Sequence, residues 1–210
     1  MPQDKYLTLP RGHHHLSRDE VGAAQRTRLL LAVVEVVAEH GYAATTVGDV
    51  LKRAHISRQT FYEHFANKED CFLEAFDQAA DLLIRRTQAA LGPVTDPVLE
   101  RLDRVFESYL SGLAAAPELA RALLVEVYGA GRAGVARRAA VQERFAVTVA
   151  DAVTAGQRWR GGLSPHFIGR AVIGAVSALV TARIEGGEAA ALPGLRRELV
   201  ELVGALLDPA

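Results

Sequence analysis

Sulfur, tryptophan and long apolar runs are all scarce in this chain of 210 residues, which holds one cysteine, one methionine and one tryptophan. With Cys71 as the single thiol, no intramolecular disulfide can form and a cysteine-built zinc site is excluded; a reducing, cytoplasmic setting is expected. The longest apolar run, Ala171 to Ala182, lies between Arg170 and Arg183. It falls short of the roughly 20 residues that span a bilayer, so it reads as a buried helix and no membrane partner is expected. Residues 1–16 are polar and contain no apolar segment of a secretory signal, and they read as a flexible tail. Within them, His13, His14 and His15 are consecutive; three such side chains cannot all face one ion, so no metal site is expected. No glycine-rich phosphate loop, Gly-x-Ser-x-Gly elbow or His-Glu-x-x-His pair occurs. The expectation is therefore a protein that is not an enzyme and needs no cofactor.

What the chain does contain is a globular composition, 50% hydrophobic and 23% charged, with a net charge of −1. That balance excludes a generic polyanion binder. The charge is uneven, however. Residues 1–68 carry nine Lys/Arg against seven Asp/Glu and six of the seven histidines, while the remainder is slightly acidic. This favours a DNA-binding N-terminal part only if a motif agrees.

Helix signals are dense and strand signals rare. Ser17-Arg18-Asp19-Glu20 is a capping box, in which a serine serves orphan N–H groups and a glutamate reaches back. The helix that follows stops at Gly41. Thr46-Val47-Gly48-Asp49 opens a second helix with Val47, Val50, Leu51 and Ala54 on one face. After His55-Ile56, Ser57 caps a third helix that places Phe61 and Phe65 four residues apart. Asn67-Lys68-Glu69-Asp70 then starts a long helix reaching about Leu91. Later breaks at glycine and proline predict helices near 97–115, 117–129, 132–159, 164–185 and 193–207. The fold class is all-α, with about nine helices. Residues 17–66 form the helix-turn-helix domain, and 67–210 form a helical ligand-binding and dimerisation domain.

Two short helices and a tight turn over residues 46–65 are the layout in which the second helix enters the DNA major groove and the first crosses the backbone. Apolar residues must fix the reading helix while polar ones face bases and phosphates. Phe61 and Phe65 supply the first requirement. For the second, Gln59 suits adenine, Arg58 suits guanine or phosphate, and the Thr60 methyl suits thymine. Tyr62 and Thr46 can donate to phosphate, and Lys68 adds charge at the next helix start. His64 is balanced between DNA contact and packing on the two phenylalanines.

The stretch from Thr45 through Ile56-Ser57-Arg58-Gln59-Thr60-Phe61-Tyr62-Glu63-His64-Phe65 to Asn67-Lys68-Glu69-Asp70 resembles the DNA-binding signature of the TetR family of bacterial regulators. The resemblance covers about residues 25–76. It implies that Thr46, Arg58, Gln59, Thr60, Tyr62, His64 and Lys68 face double-stranded DNA. It also implies a homodimer on a palindromic operator, and release when a small molecule binds the C-terminal domain. Two positions depart from the pattern. His55 stands where glycine is common, and Glu63 puts a negative charge on the reading helix.

Three further expectations concern the C-terminal part. Small residues of 164–185, including Gly169, Ala171, Gly174, Ala175, Ser177 and Ala178, and the stripe Leu195, Leu199, Leu202, Val203, Leu206 and Leu207, are the dimer candidate. Phe106, Tyr109, Tyr128, Phe145, Trp159 and Phe167 are candidate pocket residues, which suits an apolar or aromatic effector. Cys71 is expected to be buried and inert. The competing readings are a DNA-binding regulator without ligand control, and an all-helical ligand carrier or enzyme.

Overall fold

A computed structural model describes residues 17–153 and 159–207, which hold nine α-helices and no strand. The polar tail and the histidine run at 13–15 lie outside the described residues. The described chain falls into two compact units, divided between Ala75 and Phe76 within one helix.

The first unit contains α1 (Arg18–His40), α2 (Val47–Ala54), α3 (Arg58–His64) and the start of α4 (Lys68–Ala89). Each start is capped as its sequence dictates. Ser17 Oγ accepts from Glu20 N at 3.2 Å and Glu20 returns a bond to Ser17 N at 2.7 Å. Thr46 and Asp49 repeat that exchange, Ser57 Oγ accepts from Thr60 N at 3.1 Å, and Asn67 Oδ1 accepts from Asp70 N at 2.9 Å. These caps satisfy N–H groups that no helix can satisfy internally. Leu29, Leu30, Val33, Val36 and Val37 of α1 are buried at three- and four-residue spacing, and the unit's core is completed by Val50, Ala54, Phe61, Phe65 and Phe72. Cys71 is fully buried within this core. Burial pushes its thiol up to about 12, so the thiolate needed for redox chemistry is suppressed.

The second unit contains the rest of α4, then α5 (Val98–Ala114), α6 (Pro117–Leu124), α7 (Gly131–Ala152), α8 (Pro165–Glu185) and α9 (Arg196–Ala205). α7 packs on α8, α5 on α9, and α6 on α8. Three elements differ from the sequence expectation, one of them α7, expected over 132–159 but ending at Ala152. The predicted helix over 117–129 ends at Leu124 and gives way to a 3-10 turn, Glu126–Ala130. A Cβ on Gly134 would sit 1.9 Å from the Val127 carbonyl oxygen, so α7 begins pressed against that turn. The last helix starts at Arg196 because residues Ala189–Leu195, which include Pro193, form a further 3-10 segment.

The stripe expected for dimerisation also divides. Leu195, Leu199, Val203 and Leu207 are buried in the single chain, whereas Leu202 is exposed. Gly169 is likewise spent inside the chain, because its Cα lies so close to α7 that a Cβ would meet the Ala146 carbonyl at 2.4 Å. The run Ala171–Ala182, expected to be a buried helix, is not enclosed. α8 is long and apolar enough to cross a membrane by length and composition, yet only 33% of its most apolar window is buried. Ala171, Gly174, Ala178, Leu179 and Ala182 lie on its exposed side.

Candidate nucleic-acid interface

The turn between α2 and α3 depends on His55, which is left-handed at φ 52°, ψ 48° and is the one non-glycine residue with positive φ among those described. The strain at this residue is modest for histidine. It is compensated by Arg28 of α1, whose guanidinium donates to the carbonyls of Ala54 and His55, the latter at 2.9 Å. These are the end carbonyls that α2 leaves without partners.

α3 is held at its other end by Arg26. Its Nη1 donates to the His64 carbonyl at 3.1 Å, its Nε donates to Glu74 at 2.8 Å, and its guanidinium carbon lies 4.5 Å from the centre of the Phe65 ring. Phe61 and Phe65 are buried, with ring centres 5.7 Å apart. The helix is thereby held at its C-terminus and anchored along its inner face, and the turn that precedes it is fixed by Arg28. Neither arginine is discernible as a positioning residue in the sequence, because its partners lie 26 to 48 positions away.

The opposite face is open. Arg58, Gln59, Tyr62 and Glu63 are exposed side by side on the helix. Arg58 has no ion-pair partner among the described residues. Gln59 Nε2 donates to Glu63 Oε1 at 3.1 Å, so the departure at Glu63 ties up the amide that would read a base. Thr60 is half-buried and shares a 3.0 Å hydroxyl contact with Ser57. Thr46 is exposed, and its hydroxyl donates to Asp49 at 2.6 Å. That bond holds the Asp49 carboxyl below its usual range. His64 is half-buried, 3.8 Å from where a Cβ on Gly22 would stand, with its ring centre 6.3 Å from that of Phe65.

Lys68 is not the free surface cation that the sequence suggests. Its ammonium donates to the carbonyls of Tyr42 and Thr45, both at 2.8 Å, and lies 4.2 Å from the Tyr42 ring centre. The short segment from Gly41 to Thr46 brings these acceptors to it, and its role here is to brace the entry to α2.

The second unit tests the six pocket aromatics. Phe106, Tyr109 and Phe145 come together around a cavity of about 30 Å³, with Val149, Val176 and Arg138 also in its wall. Tyr109 and Phe145 meet edge to face at 5.3 Å, and burial raises the Tyr109 phenol above its ordinary range. The other three lie elsewhere. Tyr128 and Phe167 are exposed, the first on the 3-10 turn and the second on the first turn of α8. Trp159 is buried but pairs with Leu207 in an isolated bridge. Aromatic content alone could not separate these cases, because the six residues are spread over α5, α7, α8, the 3-10 turn and the segment at Trp159.

An anchored helix whose polar face stands open, presented after a capped helix and a tight turn, has the layout of a helix-turn-helix. Residues 29–75 match the family model described as bacterial regulatory proteins, tetR family. Over these residues the chain is similar to the DNA-binding part of that family. It is 36% identical over 84 residues to the transcriptional repressor KstR2 of Mycolicibacterium smegmatis, covering 40% of each chain. It is 32% identical over 83 residues to the transcriptional activator FasR of the same organism, covering 40% of this chain and 36% of that one. The chain therefore spans well under half the length of these relatives. In fold it is similar to the regulator FadR of Bacillus subtilis, solved in complex with stearoyl-CoA, with a TM-score of 0.73 at 22% identity over 84% of this chain and 96% of that one. FadR from Bacillus halodurans gives 0.75 at 20% identity, over 85% and 94%.

Proposed function

We propose that the chain is a cytoplasmic transcriptional regulator that binds a palindromic operator as a homodimer and is released by a small-molecule effector. The observation that carries this reading is the open face of α3, held rigidly by Arg26, Arg28, Phe61 and Phe65. Arg58 and Gln59 read base edges there. The Thr60 methyl meets thymine, Thr46 and Tyr62 contact phosphates, and His64 orients against α1 with its outer edge towards the duplex. Lys68 supports the DNA contact of Thr46 through the backbone it braces. Gln59 must exchange Glu63 for a base when DNA binds, so Glu63 tempers affinity.

The dimer in this reading forms through the exposed small-residue side of α8, where Ala171, Gly174 and Ala178 permit close helix approach, with Leu179 and Leu202 adding apolar surface. Two reading heads on one two-fold axis then meet half-sites about 34–36 Å apart, or a multiple of that spacing. The effector belongs to the cavity around Phe106, Tyr109 and Phe145. At about 30 Å³ that space holds no more than a water or two, so an effector must open it. Such opening is the differential binding that a switch requires.

The experiment is selection of bound duplexes from a random pool, followed by anisotropy titrations over a range of salt. The expected result is one enriched palindrome. Arg58→Ala and Gln59→Ala lose about 1–3 kcal/mol of discrimination at particular bases. Failure to enrich any sequence, or equal loss on every duplex for both variants, overturns the reading.

A further inference from the structure

The wall of the cavity in the second unit contains one charged side chain and no carboxylate. That side chain, Arg138 of α7, is 96% buried, and its Nε has no hydrogen-bond partner. Its Nη2 donates to Ser177 Oγ of α8 at 2.6 Å, and Gln142, one turn further along α7, donates to the same oxygen at 3.1 Å. A hydroxyl that accepts two hydrogen bonds still has its own proton to give. The corner between α7 and α8 therefore presents donors without an acceptor: the idle N–H of Arg138 and the hydroxyl of Ser177. Neither nearby threonine accepts from Arg138 Nε, which has no partner; Thr148 Oγ1 accepts instead from Gln88 Nε2 at 3.3 Å.

An enclosed guanidinium with an idle donor is costly unless something anionic completes it. The rest of the wall is apolar, with Phe106, Tyr109, Phe145 and Val149 facing the same space. A second, smaller cavity lies on the other side of the Tyr109–Phe145 pair and is also bounded by Arg138. A turn of those two rings would join the two spaces into one slot, with the cation at its side.

Building on the effector reading above, we infer that the effector is an amphipathic carboxylate. Its anionic end is held by Arg138 Nε and the Ser177 hydroxyl, and its apolar body displaces the Tyr109–Phe145 pair. The sign of the charge comes from the corner, where the one charged group in the wall is a guanidinium and no carboxylate faces it. The apolar body comes from the remainder of the wall. Charge-assisted pairing of a guanidinium with a carboxylate is both stronger and more directional than a neutral hydrogen bond.

The test is calorimetric titration of the full chain, without DNA, with two matched sets of probes: decanoate, methyl decanoate and 1-decanol; then 4-phenylbutyrate and 4-phenylbutanol. Each carboxylate should bind at least about tenfold more tightly than its uncharged counterparts, as expected for one charge-assisted contact. Arg138→Met, which keeps the bulk of the side chain, should abolish that preference, and Ser177→Ala should reduce it several-fold. Equal binding of acid, ester and alcohol overturns the inference. So does a preference that survives in Arg138→Met, or the failure of both carboxylates to bind. The wild-type comparison stands even if a variant does not fold. Because the readout contains no DNA, a negative result leaves operator recognition by α3 intact, and a loss of operator recognition leaves this result intact.

Discussion

The two units of this chain use arginine in opposite ways. In the first, Arg26 and Arg28 each reach across to groups that folding would otherwise strand. Arg26 serves Glu74 and the His64 carbonyl, and Arg28 serves the last carbonyls of α2. In the second, Arg138 is more deeply enclosed, yet one of its donors has no partner. The contrast separates a cation that positions a reading helix from one that waits for a ligand. A head that must present the same face to DNA on every encounter gains from complete satisfaction. A sensor gains from a vacancy that only its ligand can fill.

The reference against which this contrast is measured is the loss of an ordinary core side chain. Phe61→Ala should destabilise the protein by about 3–5 kcal/mol in urea melts, because both transfer and cavity terms apply. Arg26→Met should cost about 1–2 kcal/mol, since it removes the bonds to Glu74 and to the His64 carbonyl from a partly exposed site. DNA binding should fall further than the fraction unfolded accounts for. Gly134→Ala, in the second unit, should cost about 1–3 kcal/mol by forcing α7 away from the Val127 carbonyl. Arg138→Met should change stability by less than about 1 kcal/mol, or raise it, because removing an incompletely paired buried charge is often neutral. A loss as large as that of Arg26→Met would erase the distinction between the two arginines.

The smallest expected effect is on pH dependence. Hydrogen bonds from Arg196 hold the Asp103 carboxyl below its usual range, and Arg53 does the same for Glu39. A carboxylate whose native value is depressed stabilises the fold above its unfolded value, near 4, and loses that contribution as pH falls through the native value. Both pairs are partly exposed, so each contributes less than about 1 kcal/mol. Arg196→Met should lower stability by less than about 1 kcal/mol at pH 7 and by progressively less below about pH 4, which flattens the acid side of the stability profile. An unchanged acid limb would show that Asp103 makes no contribution.

The reading head was far more legible in the residues than the sensing half. Capping boxes, the apolar spacing of α1, the Phe61–Phe65 pair and the left-handed turn at His55 all act over four residues or fewer. Hydrogen-bond geometry at that range follows directly from the order of side chains. The involvement of Lys68 with Tyr42 and Thr45 was not legible, because a lysine at a helix start looks the same whether it faces solvent or backbone. Trp159, Tyr128 and Phe167 looked like pocket residues for a similar reason. Aromatic side chains suit a core, a surface and a binding site alike, and only the placement of their helices chooses among these.

By itself the order of residues determined the helical class, most of the helix starts, and the amphipathic α3 with its candidate base-reading side chains, because these rest on local periodicity and capping. Tertiary structure alone decided which arginines are satisfied, which aromatics share a cavity, and that Gly169 serves the monomer while the opposite side of α8 stays open. Those outcomes depend on contacts between residues tens of positions apart. They emerge only once packing has chosen which faces meet.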